Sequence, residues 1–241
     1  MVTNMAVTSM GGTAMAMAER ALFRLMAWLS PSFPVGAYTY SHGLETAVED
    51  GLVTDRATLT AWIDDLLRFG SARNDALLLT AAWQATCAED KARLHAVREI
   101  GAALHATAEL KLESTQQGAA FREAIRKSWP APGIEHLSDE AGPLAYPVAV
   151  GVTAAAHFLP LRPVLHAYLH AFAANLVSAG VRLIPLGQSD GQRALADLEA
   201  AVATTAEWAE EGSLDDLGAC SFTADLCSMR HETQYTRLFR S

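Results

Sequence analysis

Two histidines, His166 and His170, stand four residues apart. On a helix that spacing puts both imidazoles on one face, where a pair can ligate a metal. Two ligands are too few for a stable site, and no carboxylate accompanies them on the same stretch. The plainer reading is a pair of histidines satisfied within a core or an interface. Cys220, Cys227 and His231 form a second set, with Cys227 and His231 again four apart. No standard metal spacing matches them, and cysteine buries readily as a small apolar residue. His166, His170, Cys227 and His231 are therefore weak metal candidates, and no metal or cofactor is expected. His95 and His105 read as ordinary surface or core histidines. The polar run Glu113–Gly118 reads as a solvated face or an interhelix hydrogen-bond set, and Gln188–Gln192 as a helix start.

The common catalytic machinery is missing. A phosphate-binding loop ends in Gly-Lys-Ser/Thr, and none of the three lysines, Lys91, Lys111 and Lys127, follows a glycine. There is no HExxH, no GxSxG and no GxGxxG after a strand. A helical enzyme using His and Glu in an interhelical pocket is disfavoured only by the lack of a recognisable acid, base and nucleophile. The expectation is a protein that is not an enzyme and acts through its surface.

Composition bounds the class. The chain has 241 residues, 51% hydrophobic and 19% charged, which excludes global disorder and permits a core without staples. A net charge of −9 with only three lysines is a poor grip for phosphate backbones, so no nucleic-acid partner is expected. Three cysteines without a CxxC pair make no disulfide framework, and the N-terminus lacks a basic region before an apolar stretch. A cytoplasmic location follows as an expectation. Residues 141–161 and 163–181 carry no Asp, Glu, Lys or Arg, and each is long enough to span a bilayer. Pro143, Pro147, His157 and Pro160 interrupt the first, and His166, His170 and Asn175 the second. Two nearly all-round buried helices are expected, not a membrane hairpin.

The elements that must position these residues are helical by spacing. Leu22, Leu25, Met26 and Leu29 share one face, and Ser30-Pro31-Ser32-Phe33-Pro34 stops that helix. Val35–Ser41 is a loop. Ser41 caps a helix to Gly51, and Asp55 caps the next, carrying Leu59, Trp62, Ile63, Leu66 and Leu67. Residues 74–86, 90–107 and 109–127 continue the pattern until Trp129–Gly133. Residues 134–142 read as a surface linker. Further helices are expected over 147–158, 163–178, 191–211 and 217–229. With no alternating β-branched runs, the fold class is all-α: a single-domain bundle of about nine or ten helices. Residues 1–18 are expected to be a disordered leader, 19–229 the domain and 230–241 a tail that orders on partner binding.

Three stretches together resemble the UreF family of urease accessory proteins. They are LSPSFPVGAYTYSHGLETAVEDGLV (29–53), PVAVGVTAAAHFLPL with NLVSAGVRLIPLGQSDGQ (within 146–192), and SMRHETQYTRLFRS (228–241). Where that family often carries His-Pro, this chain has Tyr146-Pro147. The resemblance implies an all-α homodimer that binds the accessory protein UreD (also called UreH) and recruits the GTPase UreG. On apo-urease the assembly helps install a carbamylated lysine and two nickel ions. A nickel-binding carrier using His166, His170 and the cysteines is the alternative.

The residues themselves suggest where such partners bind. Tyr38 and Tyr40 offer rigid amphipathic area, and Arg230, Arg237 and Arg240 offer forked donors. Tyr235, Leu238 and Phe239 are the tail's apolar anchors. Turn and tail are expected to form one partner-binding face, although Tyr38 and Tyr40 could equally be core aromatics. The uncharged block 141–181 is the expected dimer surface, or else is covered within one chain.

Overall fold

A computed structural model describes residues 5–138 and 142–241. Among them are eleven α-helices and no strand. They are α1 (Met5–Trp28), α2 (Leu44–Glu49), α3 (Arg56–Arg68), α4 (Ser71–Cys87), α5 (Lys91–Ala103), α6 (Ala108–Ser128), α7 (Tyr146–Ala156), α8 (Leu161–Leu183), α9 (Gln188–Asp197), α10 (Glu199–Glu211) and α11 (Phe222–His231). Of the expected leader, residues 1–4 lie outside the described residues, and the rest belongs to α1.

Local chemistry sets most of the boundaries. Asp55 accepts from the Thr58 N–H at 2.9 Å while Thr58 Oγ1 accepts from the Asp55 N–H at 3.0 Å, a reciprocal cap on α3. Asp90 and Thr107 cap α5 and α6 through their side chains. Pro147 sits in the first turn of α7, where its missing N–H leaves nothing unpaired.

α7 is the central post. Its residues from Pro147 to Ala156 are all buried, packed chiefly against α4 and α6. Gly151 permits the closest approach: a Cβ there would stand 2.5 Å from the Leu79 carbonyl oxygen of α4. The uncharged stretch at α7 is thus covered within one chain, and the expected dimer surface is not found on this helix. α8 is long and apolar enough to cross a membrane, but half of its most apolar window is buried inside the fold. It packs against α3, α4, α9 and α10. Burial of large side chains such as Trp28, Phe121, Ile125 and Leu165 drives the assembly, each worth about 1.5–3 kcal/mol.

Two expectations are corrected. The single helix expected over 191–211 breaks at Leu198, whose N–H bonds to Leu195 three residues back. That tightened turn seats Leu198 in the core and re-aims α10 to bury Val202, Ala206 and Ala209. The expected surface linker, 134–142, instead buries Ile134 and Leu137 in a 3-10 turn. The Arg98 guanidinium fixes that segment by donating to the His136 and Gly142 carbonyls at 2.7 and 3.1 Å.

Candidate functional site

The turn after α1 and the stretch after α11 meet. Gly36 takes the left-handed conformation that lets the chain reverse into a 3-10 turn, Ala37–Thr39. The tail runs back across this turn. The Arg240 N–H donates to the Thr39 carbonyl, and the Ser41 N–H to the Ser241 carbonyl, both at 2.8 Å. Arg182 of α8 joins the two: its guanidinium carbon lies 3.7 Å from the Tyr38 ring centre and 4.3 Å from that of Phe239. It also donates to the Tyr38 carbonyl at 2.9 Å.

Three carboxylates hold the tail from beneath. Glu45 of α2 accepts from the Leu238 and Phe239 N–H groups at 2.6 and 2.9 Å. Glu109 of α6 accepts from Arg237 at 2.8 Å. His231, fully buried, stands between them with Nδ1 2.7 Å from Glu109 and Nε2 3.2 Å from Glu45, so its ring bridges the two carboxylates. Glu113, one turn beyond Glu109, accepts from Ser241 Oγ at 3.0 Å.

The candidate residues fall into two groups. Tyr38, Tyr235, Leu238 and Arg240 are exposed on this face. Tyr40 and Phe239 are not: Tyr40 is buried and gives its hydroxyl to Gln116 at 2.8 Å, and Phe239 is seated in the core. Arg237 is engaged with Glu109, and Arg230 forks onto Asp50, with Nη2 3.0 Å from Oδ1. Of the tail expected to order on a partner, Arg230, Arg237 and Phe239 are, in this structure, engaged with the chain itself, while Tyr235, Leu238 and Arg240 stand exposed.

The weak metal candidates fall on two helices, His166 and His170 on α8 and Cys227 and His231 on α11. His166 is half-buried and His170 exposed on α8, while Cys227 is buried in α11. Both nitrogens of His231 face carboxylates, so it has none to share with Cys227. Among the described residues no three His, Cys, Asp or Glu side chains converge as a metal site would require.

A cavity of about 610 Å³ opens beside this face. Sequence reasoning missed it, because its polar groups come from segments far apart in the chain, among them His42, Asp75, Glu113, Tyr146 and Tyr168. His42 follows Ser41 in a left-handed pair of residues with Gly43, where a Cβ would meet the Ser228 backbone nitrogen at 2.7 Å. Its Nε2 lies 3.0 Å from Glu113, and its ring packs edge-on to Phe172. Burial pushes the imidazole down, but the charge and hydrogen bond of Glu113 outweigh it and the net shift is upward. Asp75 of α4 accepts from the Tyr168 hydroxyl at 2.8 Å. Burial drives its carboxyl up to about 7, against the Tyr168 bond and the nearby His42. Tyr146 stacks between Phe121 and Tyr168, its phenol pushed upward by burial and by Asp75. The arrangement can hold protons and bind charge. It holds His and Glu in an interhelical pocket, with the Tyr168 hydroxyl hydrogen-bonded to Asp75.

Comparison with known proteins decides the family. The UreF family model matches residues 53–199. A urease accessory protein UreF of Bradyrhizobium diazoefficiens is 52% identical over 242 residues, covering 100% of this chain and 99% of that protein. The chain belongs to the UreF family. UreF proteins of two Rhodopseudomonas palustris strains, BisB5 and TIE-1, are 53% and 54% identical over 91% and 92% of the chain. The family match ends before the tail and begins after the Tyr38 turn, whereas the Bradyrhizobium UreF aligns with both. The all-α fold implied by the UreF resemblance is the fold observed.

Proposed function

We propose that this UreF-family chain is a non-catalytic scaffold for urease maturation in the cytoplasm. It binds UreD (UreH), recruits the GTPase UreG and helps apo-urease receive its nickel. The full-length identity to proteins named urease accessory protein carries this reading. Support from the geometry lies in the joined turn and tail, which present Tyr38, Tyr235 and Leu238 to solvent, with Arg182 against the Tyr38 ring. Exposed aromatic and aliphatic anchors beside an arginine are the usual makings of a protein-binding surface. A nickel-carrier role has no comparable support, since the weak metal candidates are split between α8 and α11.

The test is co-expression with UreD and UreG followed by pull-down. Deleting 230–241 would remove buried Phe239 and His231 and damage the fold, so point variants are needed. Tyr235→Ala with Leu238→Ala should abolish capture while leaving the melting temperature unchanged. Full capture by that variant would overturn the assignment of this face.

A homodimer is proposed to form elsewhere. Leu22, Phe23 and Met26 of α1 are exposed, and Phe158, 83% exposed, lies beside them where Arg24 reaches His157 at 2.8 Å. A second copy would cover this apolar patch. Sedimentation velocity should show a dimer for the unmodified chain and a monomer for Phe158→Asp.

A further inference from the structure

The cavity beside the tail adjoins the scaffold face at Tyr38 but is not lined by Tyr235 or Leu238. Its volume, about 610 Å³, is that of a pocket for a small organic molecule. Its polar groups are unevenly signed. Asp75 and Glu113 both line it, and among the described residues no lysine or arginine does. The floor is also incompletely paired. Tyr168 engages one oxygen of Asp75, and among the described residues no donor reaches the other. The hydroxyl of Tyr146 likewise makes no hydrogen bond among the described residues, although its ring is packed against Phe121 and Tyr168. The walls carry the aromatic rings of Phe33, Tyr146, Tyr168 and Phe172.

We infer that this cavity binds an organic cation, a primary ammonium or guanidinium head on an apolar stem. The head sits at the open oxygen of Asp75, with Glu113, already held by His42, Gln117 and Ser241, adding negative charge nearby, and the stem lies along the aromatic wall. Carboxylates and ring faces both attract a cation, and the low-dielectric surroundings strengthen the pull. An anion would face Asp75 and Glu113 with no lysine or arginine to receive it, the His42 ring being already engaged by Glu113. A purely apolar ligand would strip water from those carboxyls and return nothing. A bare metal would need a third converging ligand.

Protons are linked to this binding. Asp75, held near 7, is shared between its two forms at neutral pH, and a cation favours the ionised form. His42, Glu113, Tyr146 and Tyr168 surround it, and His105, His170 and Asp225 also line the cavity. Loss of a proton from Asp75 or from His42 makes the cavity more negative, so both act in the same direction. Affinity therefore rises from pH 6 to pH 8, and binding at pH 7 releases protons.

Isothermal titration of the full chain tests this, with n-butylammonium and n-butylguanidinium as probes and n-butanol and butyrate as controls. The cations should bind at least tenfold tighter than butanol, and butyrate should not bind. Asp75→Asn, checked for fold by circular dichroism, should weaken the cations at least tenfold. In the unmodified chain, heats in buffers of different ionisation enthalpy should show proton release, which keeps the test decisive if the variant fails to fold. Equal binding of butanol, preferred binding of butyrate, no binding of the cations, or no proton release would overturn the inference. The ligand's source is read by adding saturating n-butylammonium to the UreD pull-down. Displacement assigns the site to a lysine or arginine side chain of the partner, and undiminished capture to a free amine; either requires the cation binding already measured.

Discussion

The docked tail and the cavity meet at Glu113, yet they treat buried charge in opposite ways. On the tail side, donors and acceptors are matched. Glu45 receives two backbone N–H groups, Glu109 receives Arg237, and the His231 ring lies between them. On the cavity side, Asp75 has a single donor and sits near 7 because burial opposes its charge. A buried carboxylate with several donors holds structure together; one with too few is a standing demand for a partner. The first arrangement closes the chain upon itself, and the second leaves it open to a ligand.

Breaking the matched side should have the largest effect. Glu45→Ala strands two N–H groups and one face of His231, and should cost about 3 kcal/mol in urea unfolding. The tail should then become susceptible to trypsin at Arg237 and Arg240 while helical content persists.

The unmatched side should respond with the opposite sign. Asp75 is raised from the ordinary 3.8 to about 7, so the folded chain holds a proton that the unfolded chain has already lost. Its contribution is full below pH 3.8 and is lost as pH rises through about 7. Asp75 is only half-buried, which moderates the penalty, so Asp75→Asn should stabilise the chain by about 2 kcal/mol at pH 8. The gain should fade toward pH 4, as measured by urea unfolding across that range.

The smallest effect belongs to the link between turn and tail. Arg182→Ala removes the stack on Tyr38 and Phe239 and the bond to the Tyr38 carbonyl, and should cost about 1 kcal/mol in thermal unfolding. Retention of the tail's protease resistance in this variant, against its loss in Glu45→Ala, would locate the hold in the carboxylates.

Much of the fold was legible because helical spacing and caps are local. Asp55, Pro34 and Trp129-Pro130 marked boundaries close to where the structure has them. The break at Leu198 was not legible, since nothing in the residue type announces a tightened turn. The meeting of turn and tail could be guessed from their exposed-looking aromatics, but the burial of Tyr40 and Phe239 could not. The holding groups were hidden for a different reason. Glu45 acts on backbone N–H groups some two hundred positions away, and backbone atoms carry no sequence signal. Glu109 and Glu113, four apart on α6, were the one visible hint of a carboxylate face. The cavity was least legible: His42, Asp75 and Tyr168 are lone polar residues until the helices bring them together.

The distance along the chain between Glu45 and its donors has a consequence for biosynthesis. While a ribosome is still making residues 231–241, the apolar seat of Phe239 stands open and Glu45 and Glu109 lack their partners on the emerging polypeptide. The newborn molecule therefore passes through a stage that is helical but unsealed, in which this groove is available to other proteins before its own last segment closes it.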